Sequence, residues 1–238
     1  ALTYMKEQDI WGWSRHVTQG AVTSAAAVSG DDEDILMLVV RRRINGRERY
    51  FLERLAPRWR EDMGIEEAYF VDCGVTRRAQ TPAREVAGLD HLEGQTVAVL
   101  ADGSPVEGLT VRQGRIELPY PARVVHAGLP YTSALSPLPF ETDVQGSGST
   151  LGKLRACGRC GLRLHAAVGG KYGPDLAHMH DLPFVPEEWG APVPPFTGDL
   201  EFVPGGGQET QASLWLVQER PLPFHLVAIM PDVDMGQY

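Results

Sequence analysis

Three side chains able to exchange protons stand close together in the stretch GLDHLEGQTVAVLADG. Asp90, His91 and Glu93 carry carboxyl and imidazole groups, which can act as general acids and bases when they converge on one point. These three lie instead in a turn between Gly88 and Gly94, where such side chains commonly hydrogen-bond the local backbone. No G-x-S-x-G nucleophile motif accompanies them. We therefore predict the entrance of a β-hairpin here, and a chain that is not an enzyme.

A pair of cysteines offers a different chemistry. Cys157 and Cys160 form a C-x-x-C motif, and His165, His178 and His180 follow it, so that these thiols and imidazoles are candidate zinc ligands. One such pair is a weak signal, and residues three apart on a strand point to opposite faces unless neighbouring glycines bend the chain. A redox pair is expected at a helix N-terminus, and no helix follows. We predict no metal and no cofactor, with Cys157, Cys160, His178 and His180 as the zinc candidates.

Aromatic and basic side chains are the remaining candidates. Tyr4, Trp11, Trp13 and Trp59 can stack on sugar rings, although aromatic residues of a glycine-rich β protein lie more often in the core. The run Arg41–Arg43 is interpreted as the solvated end of a strand.

Residues 2–55 contain the strand patterns and turns of an antiparallel β region. Trp11 and Trp13 are two residues apart and therefore lie on the same face of a strand. ILMLVVRRRI is typical of a buried strand, and Asn45-Gly46 is a strong hairpin signal. We predict four antiparallel strands, the content of one β-propeller blade or a small meander. This region and a connector make up a first domain, residues 1–85. In the connector we expect either a helical turn, with Pro57 at its start and Gly64 at the end of a first turn, or an irregular loop, and then a strand at AYFVD.

Three further parts complete the predicted organisation. Residues 86–140 hold short strands and a hairpin around Gln113-Gly114, which predicts a small β-barrel or sandwich. Glycine, serine and threonine dominate residues 141–153, as is typical of a linker. Residues 154–238 begin with an alternating strand, pass through a long loop at 170–197 and end in three strands, so that a β-sandwich-like region is expected. The fold class is therefore all-β.

Charge and composition limit the partners. The chain has 238 residues and a formal net charge of −9, which argues against tight nucleic-acid binding, because phosphates call for clustered Lys and Arg. No apolar run is long enough to span a membrane, so no membrane insertion is expected. Three cysteines, an odd number, do not indicate a full disulfide framework. The sequence opens on Ala1 without Met, and we expect a piece of a longer polypeptide.

Four stretches together resemble a known family. They are LTYMKEQDIWGWSRHVTQG, ILMLVVRRRINGRERYFLERL, GLDHLEGQTVAVLADG and VHAGLPYTSALSPLP, in that order. The chain resembles the C-terminal portion of the tail nozzle or tail hub proteins of short-tailed bacteriophages and prophages, also called tail tubular or DNA-stabilisation proteins. The resemblance runs from about Leu2 to the end and is strong up to Pro139. The segment around GQTVAVLADG is also similar to a small β-domain inserted in ubiquitin-activating enzymes, a likeness that carries no activity.

The resemblance implies structural work in a virion. Such proteins form a ring, usually of six copies, that contacts the portal or its adaptor and other tail proteins and surrounds the channel through which DNA leaves the capsid. The chain would be made in the bacterial cytoplasm and end in the phage tail, with residues 2–55 as a propeller blade and 86–139 as a platform. The family carries no catalytic residues, and the CGRC motif departs from what it would have there.

Two other classes of function stay open. One is an adhesion or carbohydrate-binding β module, for which Trp11 and Trp13 must be exposed side by side in a groove. The other is a zinc-binding interaction module, for which the purified chain must contain metal.

Overall fold

The protein is all-β, as predicted. The computed structural model describes residues 2–13, 15–31, 33–60, 62–139, 143–144, 148–149, 153–188, 190–210 and 213–235. Within those ranges every strand pairing is antiparallel. The helical elements described are three single turns of 3-10 helix, at Lys6–Gln8, Ile65–Glu67 and Asp90–Leu92.

The N-terminal strands form two sheets instead of one four-stranded blade. β1 and β2 pair with each other as a hairpin, and β3, β4 and β5 form a three-stranded sheet in that order. In the segment between β2 and β3, the carbonyl of Gln19 accepts a hydrogen bond from Arg42 of β4 at 2.8 Å. The five strands are β1 Leu2–Met5, β2 Ile10–Trp13, β3 Ala21–Val28, β4 Ile35–Ile44 and β5 Arg47–Arg54.

The predicted hairpin at Asn45-Gly46 is confirmed. Ile44 pairs with Arg47 across the turn, and the two central residues have φ angles of 48° and 74°. Positive φ at both central positions is the requirement of a type I′ turn, which favours Asn followed by Gly.

The connector is irregular up to Gly64, which is one of the two expectations, but the expected strand at AYFVD is absent. The helical turn begins after Gly64 instead of ending there, because Gly64 itself has a φ of 65° that a helix does not accept. No strand forms at residues 68–71, since Tyr69 lies flat against the ring of His126, with 3.9 Å between ring centroids. The next strand starts only at Asp72.

A four-stranded sheet forms the middle of the molecule. Its order is β6-β9-β7-β8, and among the described residues it stays open, so that the expected small β-domain is a sheet and not a closed barrel. The first strand runs through the boundary predicted at residues 85 and 86, because its partner β9 is equally long and pairs on both sides of it. The strands are β6 Asp72–Ala87, β7 Thr96–Ala101, β8 Ser104–Thr110 and β9 Arg115–Leu129.

The core of this sheet also holds the N-terminal sheet in place. Val86, Leu89, Leu92 and Val99 are fully buried in it, and Ile44 at the end of β4 belongs to the same cluster. Phe51 of β5 packs against it as well. One face of the β3-β4-β5 sheet therefore packs against the middle sheet, and the opposite face points away from this core.

The C-terminal part contains two further sheets. Their orders are β16-β13-β18 and β10-β17-β14-β15, with a separate pair β11-β12. The three final strands are as predicted, while β14 and β15 lie within the predicted loop. The strands are β10 Ser133–Leu135, β11 Asp143–Val144, β12 Gly148–Ser149, β13 Arg155–Ala167, β14 Lys171–Gly173, β15 His180–Asp181, β16 Phe196–Phe202, β17 Trp215–Gln218 and β18 His225–Met235.

The predicted domain limits are crossed by packing. β10, from the range predicted as a platform, pairs with β17 of the C-terminal part. Leu100 of the middle sheet packs against Val168 and Leu222. The predicted linker at residues 141–153 lies mostly outside the described residues, apart from β11, β12 and Lys153.

Candidate functional site

His91 and Glu93 hydrogen-bond the backbone, as predicted for a hairpin entrance. The two carboxylate oxygens of Glu93 accept hydrogen bonds from the backbone N–H groups of Gln113 and Gly114, at 3.0 and 2.8 Å. His91 donates from Nε2 to the carbonyl oxygen of Cys73 at 3.0 Å. The sequence signal was the turn composition around them.

A cavity of about 480 Å³ lies between these residues and the β4–β5 turn. Since Glu93 and His91 are both hydrogen-bonded to the backbone, neither points a freely available base into it. The lining side chains have both signs of charge and include no Ser, Thr or Cys nucleophile among the described residues. The lining residues are Ile44, Asn45, Arg47, Arg49, Asp90, His91 and Glu93.

The two cysteines of the C-x-x-C motif do share one face, contrary to the alternation expected of a strand. The pairing of β13 with β18 shifts register between Cys157 and Arg159, so a bulge at Gly158 turns the chain by one residue. Cys157 and Cys160 consequently lie together in one buried cluster. A hydrogen bond between the thiols lowers the pKa of Cys157 and raises the pKa of Cys160.

The zinc candidates are not assembled into a site. His178 is exposed and its Nδ1 contacts the carboxylate of Asp175 at 2.9 Å, an arrangement that lowers the pKa of Asp175. His180 is exposed on β15, beside Tyr172. Across the ranges the structure describes, no group of three or more His, Cys, Asp or Glu side chains is placed to hold a metal ion.

The basic run is not uniformly solvated, which corrects the interpretation made from the sequence. Arg41 and Arg43 are exposed, but Arg42 is only 2% exposed. Its guanidinium makes a bidentate ion pair with Glu53, with both N–O distances 2.6 Å, and also donates to Thr18 Oγ1 at 2.8 Å. Position 42 has the same parity as the buried Val40, so period-2 alternation would have revealed it.

The buried arginine organises a polar cluster between two sheets. The Thr18 hydroxyl that receives the Arg42 hydrogen bond donates in turn to the carboxylate of Asp72, at the start of β6. Burial, followed by the charge of the nearby Glu53, raises the pKa of Cys73 to about 12. The third cysteine is therefore a thiol in this cluster and not a reactive thiolate.

The four aromatic candidates separate into an exposed group and a buried residue. Tyr4 and Trp11 are direct cross-strand partners with ring centroids 4.0 Å apart, and Trp13 lies two residues along the same face and is 81% exposed. Trp59 is instead buried, and its Nε1 donates to the Gly64 carbonyl at 2.8 Å. The expected core or interface role thus divides between them, with the hairpin aromatics facing solvent.

A second exposed apolar surface lies on the side of the β3-β4-β5 sheet that faces away from the core. Strand register places its members on one face, since Leu52 is opposite Val39 and Val28 is opposite Ile35. Leu52 is 71% exposed and Tyr50 is 66% exposed. We call this surface the outer face; its apolar members are Val28, Ile35, Met37, Val39, Tyr50 and Leu52. Ile35, Met37 and Val39 are half-buried, and Arg41 and Arg54 lie on the same face, opposite Tyr50 and Met37.

The edge strand beside the outer face is also uncovered. All eight residues of β3, AVTSAAAV, are exposed, and among the described residues the strand pairs with β4 alone. It has no charged side chain and no proline, the usual protections of a free edge. Residues 1–55 contain eight acidic and eight basic side chains, so net charge does not oppose contact there.

The sequence analysis named the aromatic hairpin but missed the outer face. The start of β4 has apolar residues on both faces, so alternation in hydrophobicity does not show which face is exposed. The available signal was the start of β4, which is apolar on both faces although only one of them can face the core of the middle sheet.

The chain was compared with protein-family models and with curated proteins. No protein-family model matches the chain, and no curated protein matches it. Among the described residues, no helix has the length and apolar character needed to cross a lipid bilayer.

Proposed function

We propose that this chain is a structural module of a phage tail, part of the ring-forming nozzle or hub through which DNA leaves the capsid. The observation that carries the proposal is the outer face, a largely apolar sheet face that the described residues leave exposed at Val28, Tyr50 and Leu52. Soluble monomers rarely expose contiguous apolar surface of this kind, and protein contact sites commonly do.

Three further features support an assembly role. The uncovered edge of β3 offers main-chain donors and acceptors to a neighbouring strand. The aromatic hairpin presents Tyr4, Trp11 and Trp13, residue types that are enriched in protein interfaces. The middle sheet supports the outer face and β3, because Ile44 and Phe51 pack the β3-β4-β5 sheet against its core.

The proposal is tested by placing a charge in the outer face. With the gene in its own genome, Leu52→Glu is expected to yield particles without functional tails and at least about a hundredfold loss of infectious titre, because a buried unpaired carboxylate disrupts an interface. Val185→Glu is the matched control, since Val185 is 73% exposed outside the outer face. A normal titre with Leu52→Glu, or an equal loss with both variants, contradicts the proposal.

A carbohydrate-binding module is the second candidate, favoured by one observation. Trp11 and Trp13 are exposed side by side on one face of the β1–β2 hairpin. Binding on a glycan array that disappears in Trp13→Ala and persists in Leu52→Glu would favour this function over an assembly role.

A further inference from the structure

Two histidines face each other across β13 and β18, away from all the surfaces described above. His165 and His225 are direct partners in the antiparallel register, and their ring centroids are 6.2 Å apart. Imidazoles on adjacent strands at this spacing can turn toward a common point above the sheet. Imidazole is a preferred ligand of Zn²⁺, Ni²⁺ and Cu²⁺.

One ring nitrogen of His225 is hydrogen-bonded to the backbone. Its Nδ1 lies 3.1 Å from the backbone carbonyl of His165, and because a carbonyl only accepts, Nδ1 carries the proton. The lone pair of Nε2 is therefore available. Histidine ligands of metals usually donate their second ring N–H in this way, which fixes both tautomer and orientation.

The imidazole ring of His225 also stacks on an aromatic side chain. The indole of Trp59 is stacked on His225, with 6.5 Å between ring centroids and an angle of 4° between the planes. Trp59 is itself anchored by its hydrogen bond to Gly64. The imidazole of His225 thus loses little freedom on binding a ligand, which favours binding.

The sheet is deformed at this position. The pairing of β13 with β16 slips between Leu164 and Ala167, and Ala166 has a φ of 45°, a left-handed conformation that is uncommon for alanine. The backbone N–H of Ala166 donates a hydrogen bond to the hydroxyl of Thr197 at 2.8 Å. Bulges of this kind re-aim side chains and are frequent beside functional sites.

An open depression adjoins the pair. Its volume is about 420 Å³, and His165, Thr197 and Asp199 are among the residues that line it. The Asp199 carboxylate is engaged with Arg163 by two contacts of 2.8 Å, and that hydrogen bonding lowers the pKa of Asp199. The depression leaves room for waters to complete a coordination shell.

We propose that His165 and His225 form a surface site for a divalent transition metal, with water as the remaining ligands. The site is distinct from the C-x-x-C motif and does not depend on the proposed tail function. With two protein ligands it supplies fewer bonds than a structural zinc site, which has four.

The test is calorimetric titration of Ni²⁺ into the chain purified without a polyhistidine tag. We expect one saturable site, and at least about a tenfold rise in Kd for His165→Gln and for His225→Gln. His178→Gln is the matched control, an exposed histidine outside the pair, and it should leave the Kd unchanged. Ni²⁺ should also raise the thermal midpoint of the wild-type chain and of His178→Gln, but not of the two site variants.

Several outcomes overturn the proposal. They are the absence of saturable binding to the wild-type chain, unchanged binding in His165→Gln, or equal loss in His178→Gln. His225→Gln removes the contact with Trp59 and can weaken the fold. If its metal-free midpoint falls, the exposed His165→Gln alone decides.

Discussion

Arg42 connects three separate parts of the chain through one side chain. It pairs with Glu53 within its own sheet, donates to Thr18 and Gln19 of the preceding segment, and reaches Asp72 of β6 through the Thr18 hydroxyl. A buried charge in such a position is tolerated because every contact is a hydrogen bond to an acceptor.

Replacing this arginine should therefore weaken the fold strongly. Arg42→Met is expected to lower the free energy of unfolding by about 3–5 kcal/mol, because Glu53 is left without its partner. Arg41→Met, in the exposed neighbour, is expected to change it by less than about 0.5 kcal/mol. Urea unfolding of the two variants and the wild type measures both values. Similar midpoints for the two variants would show that the buried ion pair is not structural.

His126 gives the fold a dependence on pH. It is completely buried, its Nδ1 is 2.7 Å from Thr76 Oγ1, and its Nε2 is 3.0 Å from the Glu66 carbonyl. Burial lowers the pKa of His126 from its ordinary 6.5, and Arg78 acts in the same direction, while Glu67 opposes them. Tyr69 covers the ring and excludes water.

The sign of the effect follows from proton uptake. Below pH 6.5 the unfolded chain binds a proton at this residue that the folded chain does not, so stability is present above pH 6.5 and is lost as the pH falls. The loss is at most about 1.4 kcal/mol per pH unit. Urea unfolding from pH 7.5 to 5.5 should show a steeper decline for the wild type than for His126→Gln. Parallel declines would assign the pH dependence to other groups.

Residue types predicted some of these roles and not others. The backbone role of Glu93 followed from the glycines and turn residues around it. The burial of Arg42 did not, because a run of three arginines suggests solvent unless strand parity is applied to each one. His126 and Tyr69 are 57 positions apart in the sequence, so no local pattern pairs them.

At the scale of elements, the turn at Asn45-Gly46 is the clearest link between sequence and structure. Gly46 has a φ of 74° and open space around its Cα, whereas Gly207 has open space and no positive φ. Gly46→Val should cost about 1–3 kcal/mol, since a β-branched residue is strained there, and Gly207→Val should cost much less. Equal unfolding midpoints for the two variants would mean that the φ angle at Gly46 does not limit stability.

The positions of β-bulges could not be predicted from the hydrophobic pattern of the sequence. A strict alternation puts Cys157 and Cys160 on opposite faces, and the extra residue at Gly158 reverses that result. The register of β6 against β9 likewise shifts at three places, none of which the hydrophobic pattern predicts. Strand existence follows from hydrophobic period, but register depends on partners that are distant in the sequence.

At the scale of the whole molecule, the acidic balance predicts weak affinity for DNA. The net charge of −9 repels phosphates, and Arg42, one of three clustered arginines, is buried in an ion pair and unable to reach them. We expect no saturable binding of a duplex below about 100 µM at physiological salt. Fluorescence anisotropy across a salt series measures it. Micromolar binding that weakens steeply with salt would contradict this, and Arg41 and Arg43 would then be the first residues to replace.

Apolar and acidic surface are distributed unevenly along the chain. Much of the uncovered apolar surface lies in residues 1–55, where acidic and basic side chains are equal in number, and the excess acid lies beyond them. All-β class and turn positions could be predicted from the sequence. The uncovered face could not, because exposure depends on how sheets pack and not on the composition of any one strand.

The most direct test of the central claim is the location of the chain in a particle. Fab fragments raised against the chain can be imaged by electron microscopy on phage particles released from the cells that encode it. The account predicts label at the single tail vertex of each particle, in several copies arranged around the tail axis. Unlabelled particles, with the chain recovered instead from the cell surface or the soluble fraction, would contradict it.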